Sequence, residues 1–277
     1  MNQVVDTVRQ ELLNAIESDQ LVLPTLPEVA LRVREIAEDP DASIAQLGDV
    51  IGNDAALTAR IIKVANSPLL RAPKEIESLN MALMRLGMEY TCNIATGLAM
   101  EQMFQATSDM VDKRLRDIWN RSSEIAGICH VLCKHRTNLR PDQATLAGLI
   151  HKIGVLPILT YAEEHPSLLK DSFTLDKVID ALHGQIGDRI LESWEFPEEL
   201  RRVPSAHMDF TRLTETADYA DIVTVAMLQS YMGSDHSLAE IDYSTVAAFA
   251  RLGLEADEPQ EEDLNDEMEA AMKLLSS

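Results

Sequence analysis

The residues of this sequence with the widest chemical repertoire are its seven histidines and three cysteines. Three histidines fall in separate segments: His151 in LAGLIHKIGVL, His183 in a strongly periodic stretch after Thr174, and His207 at the end of RRVPSAH. Imidazoles from three segments could converge and bind a divalent metal ion, or each could be a core histidine bonded only to its surroundings. Because Gly187 follows His183 by four positions, that imidazole could also face a gap and line a pocket. The sequence leaves these alternatives open.

A second cluster holds Cys129, His130, Cys133 and His135 within seven residues. On one helix the two cysteines share a face, since they are four residues apart, whereas the histidines point elsewhere. Four ligands from one continuous helix cannot converge tetrahedrally on zinc. The spacing therefore favours buried structural cysteines.

No phosphate-binding GxxxxGK[ST] or GxGxxG loop, GxSxG elbow, HExxH pair or DxDxDG loop is present. The richest basic stretch, 113–140, has seven bases and two acids. It could form an anion-facing patch or the ordinary polar surface of an amphipathic helix. Its bases are Lys113, Arg114, Arg116, Arg121, Lys134, Arg136 and Arg140.

The chain has 277 residues, with 46 Asp and Glu against 24 Lys and Arg, for a net charge of −22. Such a negative chain repels phosphates, so we expect no nucleic-acid partner and no binding to anionic membranes. The opening residues lack the pattern of a signal peptide, and no apolar run approaches the roughly 18–20 residues of a membrane span. Three cysteines make no disulfide framework, which favours a reducing, cytoplasmic location.

Helical periodicity recurs along the whole chain, and strand alternation is lacking. Ser43, Asn53 or Asp54, and Ser78 are predicted N-caps of short helices, and a helix over roughly 88–104 follows. Longer helices are predicted over about 113–136, about 142–159 with an interruption near Pro157, and from Thr174.

These patterns predict an all-α fold in two helical subdomains. Residues 1–107 form a bundle of about six short helices, which packs on a helical subdomain over 108–254. Residues 255–277 form an acidic tail, with nine acids and no base over 255–270. We expect that tail to be solvated or a loosely attached helix, with docking to a basic partner as the alternative.

Several motifs resemble the HDOD domain, the HD-related output domain. They are LPTLP, DPDAS, NDAALT, ANSP and SLNMALMRLGMEY, followed more weakly by AGLIHKIGVLPIL, HGQIGDRILESWEFPEEL and RRVPSAH. The resemblance covers about 20–235 and implies that the second subdomain is HD-like. HD phosphohydrolases bind divalent metal through an H…HD…D set, and the matching positions here are Arg121, His151, Lys152 and Met227. Three of those four positions depart from the metal-binding pattern.

The resemblance implies a bacterial signal-transduction protein without catalytic activity, which acts through contacts with an unidentified signalling protein. A metal-dependent phosphohydrolase or phosphodiesterase is the first alternative, and it would need acids such as Asp188 or Asp209 to replace the missing ligands. The second alternative is a sensor that binds a phosphorylated ligand or nucleotide through Arg121 and Lys152. No cofactor is expected, weak metal binding by the three histidines being the alternative, and the oligomeric state is left open.

Overall fold

The computed structural model describes residues 2–18, 23–67, 70, 74–254 and 262–275. Within these residues the chain is helical and contains no strand, which confirms the predicted all-α class. The α-helices are α1 Asn2–Glu17, α2 Glu28–Glu38, α3 Ile44–Gly52, α4 Ala55–Ala65, α5 Leu79–Leu86, α6 Met88–Ala99, α7 Asp109–Arg136, α8 Pro141–Ile150, α9 Val155–Glu164, α10 Pro166–Lys170, α11 Ser172–Ser193, α12 Glu198–Arg201, α13 Val203–Ala206, α14 Tyr219–Ser230, α15 Ala247–Arg251 and α16 Glu262–Leu275. Single 3-10 turns lie at Met100–Met103, Ser237–Glu240 and Tyr243–Thr245.

Three of the short helices in the N-terminal half, α3, α4 and α5, begin at capping residues. Ser43 forms a reciprocal capping box with Gln46 at the start of α3. The side chains of Asp54 and Ser78 accept hydrogen bonds from backbone N–H groups in the first turns of α4 and α5. Each cap satisfies a donor that the helix itself leaves unpaired, which is why these polar residues set the helix starts.

The predicted interruption near Pro157 is wrong. Pro157 lies in the first turn of α9, where a proline costs no intrahelical hydrogen bond. The break falls earlier, at the turn 151–154 between α8 and α9. There the backbone bonds run from Ile153 N to Ile150 O and from Val155 N to Lys152 O, over three residues instead of four. This turn carries His151 and Lys152.

The stretch Pro141–Glu164, which joins α8, that turn and α9, is long and apolar enough by composition to span a membrane, with a mean hydropathy of 1.4. The expectation that no apolar run approaches that length is therefore wrong. However, 89% of its most apolar window is buried inside the fold. Its hydrophobicity is explained by its position in the core, where α8 packs between α6, α7 and α14.

One continuous hydrophobic core runs through both halves of the chain, with the 28-residue α7 at its centre. Part of the acidic tail joins this core, because α16 packs along α7 with Met268 and Ala271 buried. Gly127 permits the contact, since a Cβ there would lie 2.5 Å from the carbonyl oxygen of Ala271. Residues 262–275 are thus more closely attached than the expected loose helix, whereas 255–261 lie outside the described residues.

Candidate functional site

A cavity of about 500 Å³ lies between α7, α11, α14 and the turn 151–154. All four positions that the HD-like pattern singles out line it: Arg121, His151, Lys152 and Met227. They come from α7, the turn and α14, which are separated by as many as 106 residues along the chain. Helix packing therefore brings the predicted positions to one pocket, although it does not by itself give them a role.

Glycines allow the turn to approach α11 closely enough to build the floor of this pocket. A Cβ on Gly154 would lie 1.9 Å from the carbonyl oxygen of His183 and 2.6 Å from the backbone nitrogen of Gly187. A Cβ on Gly187 would lie 2.6 Å from the Cβ of Pro204 in α13. The gap beside Gly187 is thus filled by backbone and by a proline ring, and His183 and His207 lie behind the pocket floor.

The three histidines cluster, as one of the sequence alternatives required. The rings of His151 and His207 have centroids 5.0 Å apart, and those of His183 and His207 are 5.4 Å apart. His151 Nδ1 donates to the carbonyl oxygen of Gly148 at 2.6 Å, and His207 Nδ1 donates to that of Val203 at 3.0 Å. Both rings therefore keep a lone pair on Nε2.

Burial keeps these imidazoles neutral. Burial, with a smaller contribution from Lys152, lowers the pKa of His151 to about 3. The pKa values of His183 and His207 are also lowered, chiefly by burial. Removing an ionised ring from water is costly, so all three remain uncharged at neutral pH.

Lys152 occupies the position next to this histidine cluster. Its Nζ donates to Nε2 of His183 at 2.9 Å. Burial lowers the pKa of Lys152 to about 8, and the negative charge of Asp180 opposes that shift. At neutral pH the floor of the pocket therefore carries a largely protonated ammonium group surrounded by neutral rings.

The arginines of the rim, by contrast, are held by partners. Arg121 bonds to Glu124 at 2.9 Å and to the carbonyl oxygen of Ser230 at 2.6 Å, and its guanidinium carbon lies 4.3 Å from the centroid of the Tyr231 ring. Arg114 bonds to Asp176 at 2.8 Å. Arg114 also donates to the hydroxyl of Ser172, so each guanidinium group uses two of its five N–H donors and has its charge paired with an acid.

The basic stretch of α7 is largely neutralised in the same way. Arg116 pairs with Asp112, and Lys134 and His135 both bind Glu267 of α16. Arg140 binds Glu89 and Asp142. The alternative of a wide anion-facing patch is therefore not supported by these contacts.

The cysteine cluster does not converge on a metal. Cys129 and Cys133 are buried free thiols, and burial raises the pKa of both, that of Cys133 to about 11. His130 contacts Thr145, whereas His135 reaches out to Glu267. This arrangement agrees with structural cysteines on a core helix.

The acids that a phosphohydrolase would need are placed elsewhere. Asp188 accepts hydrogen bonds from the backbone and hydroxyl of Ser205 and from Arg202, in a separate depression. Asp209 is exposed and bonds to Thr211 within its own turn. Neither lines the pocket, so the proposed substitutes for the missing ligands are wrong.

The residues present do not fit a divalent metal. His151 and His207 offer lone pairs, but Nε2 of His183 is taken by the Lys152 ammonium group, which would repel a cation. The described residues contain no group of three or more His, Cys, Asp or Glu side chains placed to hold a metal ion. HD-type chemistry needs anionic oxygen ligands beside the imidazoles, and the pocket floor supplies none.

Sequence reasoning missed several other residues of the pocket. Ser122 lies one position from Arg121, is buried, and its Oγ has no hydrogen-bond partner among the described residues. Asp180, Tyr231 and His236 also line the cavity, and the Tyr231 and His236 rings are stacked with centroids 4.0 Å apart. Asp180 lies three residues before His183 on the same helix face. This spacing is visible in the sequence and could have indicated that Asp180 lies near His183.

Comparisons with known proteins agree with this architecture. A model of the HDOD domain family matches residues 23–210, which is more than half of the chain. The structure of a "putative metal-dependent phosphohydrolase" from Shewanella amazonensis SB2B is 33% identical, covers 98% of this chain and 99% of its own, and superposes with a TM-score of 0.85.

More distant relatives share the fold. An "HDOD domain protein with unknown function" from Geobacter sulfurreducens is 18% identical, with 99% of each chain covered and a TM-score of 0.62. A relative from Treponema pallidum (strain Nichols), named only as an uncharacterized protein, is 22% identical over 224 residues, which are 72% of this chain. This chain spans 42% of the length of that relative. From the family match and the close structural relative together, the chain belongs to the HDOD domain family.

Proposed function

We propose that this protein is a regulatory HDOD protein of the bacterial cytoplasm that has no hydrolytic activity and signals through contacts with other proteins. One observation carries the proposal: the Nζ of Lys152 lies 2.9 Å from Nε2 of His183, at the position where an HD enzyme has its bridging aspartate. A cation there replaces the ligand charge that a catalytic metal needs. The three cysteines, all free thiols, support the cytoplasmic location.

The name of the Shewanella amazonensis relative raises phosphohydrolase activity as the competing function. That chemistry requires a metal to lower the pKa of the attacking water, or a general base placed to replace it. His151 keeps a lone pair on Nε2, but burial lowers its pKa to about 3, which makes it a weak base, and its neighbour is Lys152 rather than an acid. The donor set therefore favours the regulatory function.

The test uses untagged full-length protein purified without added metal. Metal content is measured by elemental analysis, and the same sample is assayed with bis(4-nitrophenyl) phosphate in Mn²⁺ and in Mg²⁺. We expect no stoichiometric metal and no turnover. Lys152→Asp restores an HD pair and should raise Mn²⁺ affinity, whereas Lys170→Asp, at an exposed lysine of α10, should not.

Stoichiometric metal in the wild-type protein, together with turnover that His151→Ala abolishes, would overturn the proposal in favour of a phosphohydrolase. Equal Mn²⁺ affinity in the wild type and in Lys152→Asp would contradict the role assigned to the lysine.

A further inference from the structure

We propose that the pocket binds a small amphiphilic carboxylate, a molecule with one carboxylate head and an apolar body, and that Lys152 holds the head. This ligand class rests on the proposed function, because a catalytic metal on the histidines would occupy the same floor. Three parts of the pocket favour this ligand class: its floor, its walls and its rim.

The floor offers hydrogen-bond donors that lack protein acceptors. An ammonium group has three N–H donors, and the one hydrogen bond of Lys152 Nζ within the described part of the chain is to His183. Asp180 acts on Lys152 by charge, with no hydrogen bond between them in those residues. The hydroxyl of Ser122, in a side chain that is 1% exposed, is also without a partner there. The Lys152 ammonium group, which carries the charge, is complementary to one compact anionic group of acceptor oxygens.

The walls are apolar. Ile125 of α7, Val155 of α9, Ile179 of α11 and Met227 of α14 line the cavity between floor and rim. Its volume of about 500 Å³ is in the range of small-molecule sites, and such walls favour an aliphatic or aromatic body. The ligand must therefore carry substantial apolar surface as well as the head group.

The rim selects against multiple negative charges. Asp117, Asp176 and Asp180 line the cavity, whereas the two rim arginines are already bonded to Asp176, Glu124 and a backbone carbonyl. A polyphosphate or nucleotide would bring several charges past Asp117 and Asp180, while Arg114 and Arg121 are already paired with Asp176 and Glu124. A carboxylate carries one negative charge and meets less repulsion, so the rim favours it over the phosphorylated ligand considered from sequence.

The experiment is calorimetric titration of the full chain with octanoate, octyl phosphate and 1-octanol, on protein whose metal content has been measured. We expect octanoate to bind at least about tenfold more tightly than 1-octanol, which forms no charge-assisted hydrogen bond with Lys152. We expect it also to bind more tightly than octyl phosphate, whose larger negative charge meets more repulsion from the rim carboxylates. Lys152→Met should weaken octanoate binding at least about tenfold. The exposed-lysine control Lys170→Met should bind as the wild type does.

A second variant keeps the test independent of Lys152. Leu238→Trp narrows the apolar part of the cavity from the 3-10 turn and should also weaken octanoate binding. Circular dichroism on both variants establishes that they are folded.

The outcomes separate the two proposals. Metal-free protein that does not bind octanoate, or that binds it equally well after Lys152→Met, overturns the ligand class and leaves the regulatory function standing. Tighter binding of octyl phosphate than of octanoate also overturns it and favours a phosphate sensor. Stoichiometric metal with turnover overturns the proposed function itself.

Discussion

The floor and the rim of the central pocket both carry cationic side chains, but the two regions control their charges in different ways. Arg114 and Arg121 at the rim are each bonded to an acid within hydrogen-bonding distance. Lys152 at the floor is held among neutral imidazoles and donates to His183. The rim charges are therefore compensated locally, whereas the floor charge depends on burial and packing.

This difference means that charge content alone is a poor guide to anion binding. Arg121 has a backbone carbonyl, a carboxylate and an aromatic face as partners, so its positive charge is already compensated before an anion approaches. Lys152 has N–H donors still available. Arg121 and Lys152, which the sequence presents as equivalent cations, are thus expected to contribute differently to the stability of the fold and to the binding of an anion.

The largest expected effect is acid destabilisation from the floor side of the pocket. Burial lowers the pKa of His151 to about 3, and it also lowers the pKa values of His183 and His207. Above pH 6.5 both the folded and unfolded states hold neutral rings, so the full stability is present. As pH falls below 6.5 the unfolded state takes up protons that the folded state excludes, and stability is lost by up to about 1.4 kcal/mol per pH unit for each histidine.

Urea denaturation from pH 7 to pH 4.5 measures this slope. In His151→Gln the slope of the unfolding free energy against pH should correspond to about one proton fewer taken up on unfolding. Gln can still donate to Gly148 but does not titrate. An unchanged slope in that variant would mean that His151 is not a buried neutral ring.

The second-largest effect is expected from disrupting the contact between the turn 151–154 and α11. Gly154→Ala places a methyl group 1.9 Å from the backbone oxygen of His183, which cannot move without displacing α11. We expect a loss of about 3 kcal/mol in the free energy of unfolding, measured by urea denaturation.

Gly52→Ala is the matched control for that substitution. Its Cβ would meet a leucine methyl at 3.8 Å, an ordinary contact, and alanine favours a helix. It should leave the protein as stable as the wild type or slightly more stable. Equal losses in the two variants would contradict the close approach of the turn to α11.

Neutralising one cation in each region should change stability in opposite directions. Lys152→Met removes a charge that is costly to bury and keeps a similar volume, so we expect a gain of about 1–2 kcal/mol at pH 7. Arg121→Met removes an ion pair and an aromatic contact, so we expect a loss of about 1 kcal/mol. Thermal unfolding of both variants checks the signs, and two losses would mean that Lys152 is stabilised by its surroundings.

The smallest effect is expected at the rim, from the contact between the Arg121 guanidinium group and the Tyr231 ring. Arg121→Lys keeps the charge but loses the planar group that faces Tyr231, so we expect a loss of about 0.5–1 kcal/mol. Arg116→Lys, at an exposed ion pair with Asp112 on the same helix, should change stability by less than about 0.5 kcal/mol. Equal effects at the two positions, measured by urea denaturation, would show that the aromatic contact contributes nothing.

Much of the helical framework could be predicted because its causes are local. Ser43, Asp54 and Ser78 cap their helices through bonds to backbone three residues away. The error near Pro157 shows the limit, because a proline that breaks a helix interior is harmless in a first turn. Whether Pro157 lies inside a helix or in its first turn depends on where α8 ends. That end is set by packing around the turn 151–154.

The site was predictable only in part. The family resemblance indicated Arg121, His151, Lys152 and Met227, and these line one pocket. It did not indicate Ser122 or the acids of the rim. Nor could it show that Asp188 binds Ser205 instead of facing the histidines, because Ser205 lies 17 residues away in another helix.

By itself the sequence determined the helical class and several helix starts, because these follow from side-chain chemistry and short-range bonds. Its resemblance to the HDOD family indicated that Arg121 and Lys152 stand at positions of HD-type ligands. Only the tertiary structure decided that the arginines of the rim are paired while Lys152 lies against His183. That outcome depends on how closely the turn at Gly154 approaches α11, and such a distance is set by the packing of elements far apart in the chain.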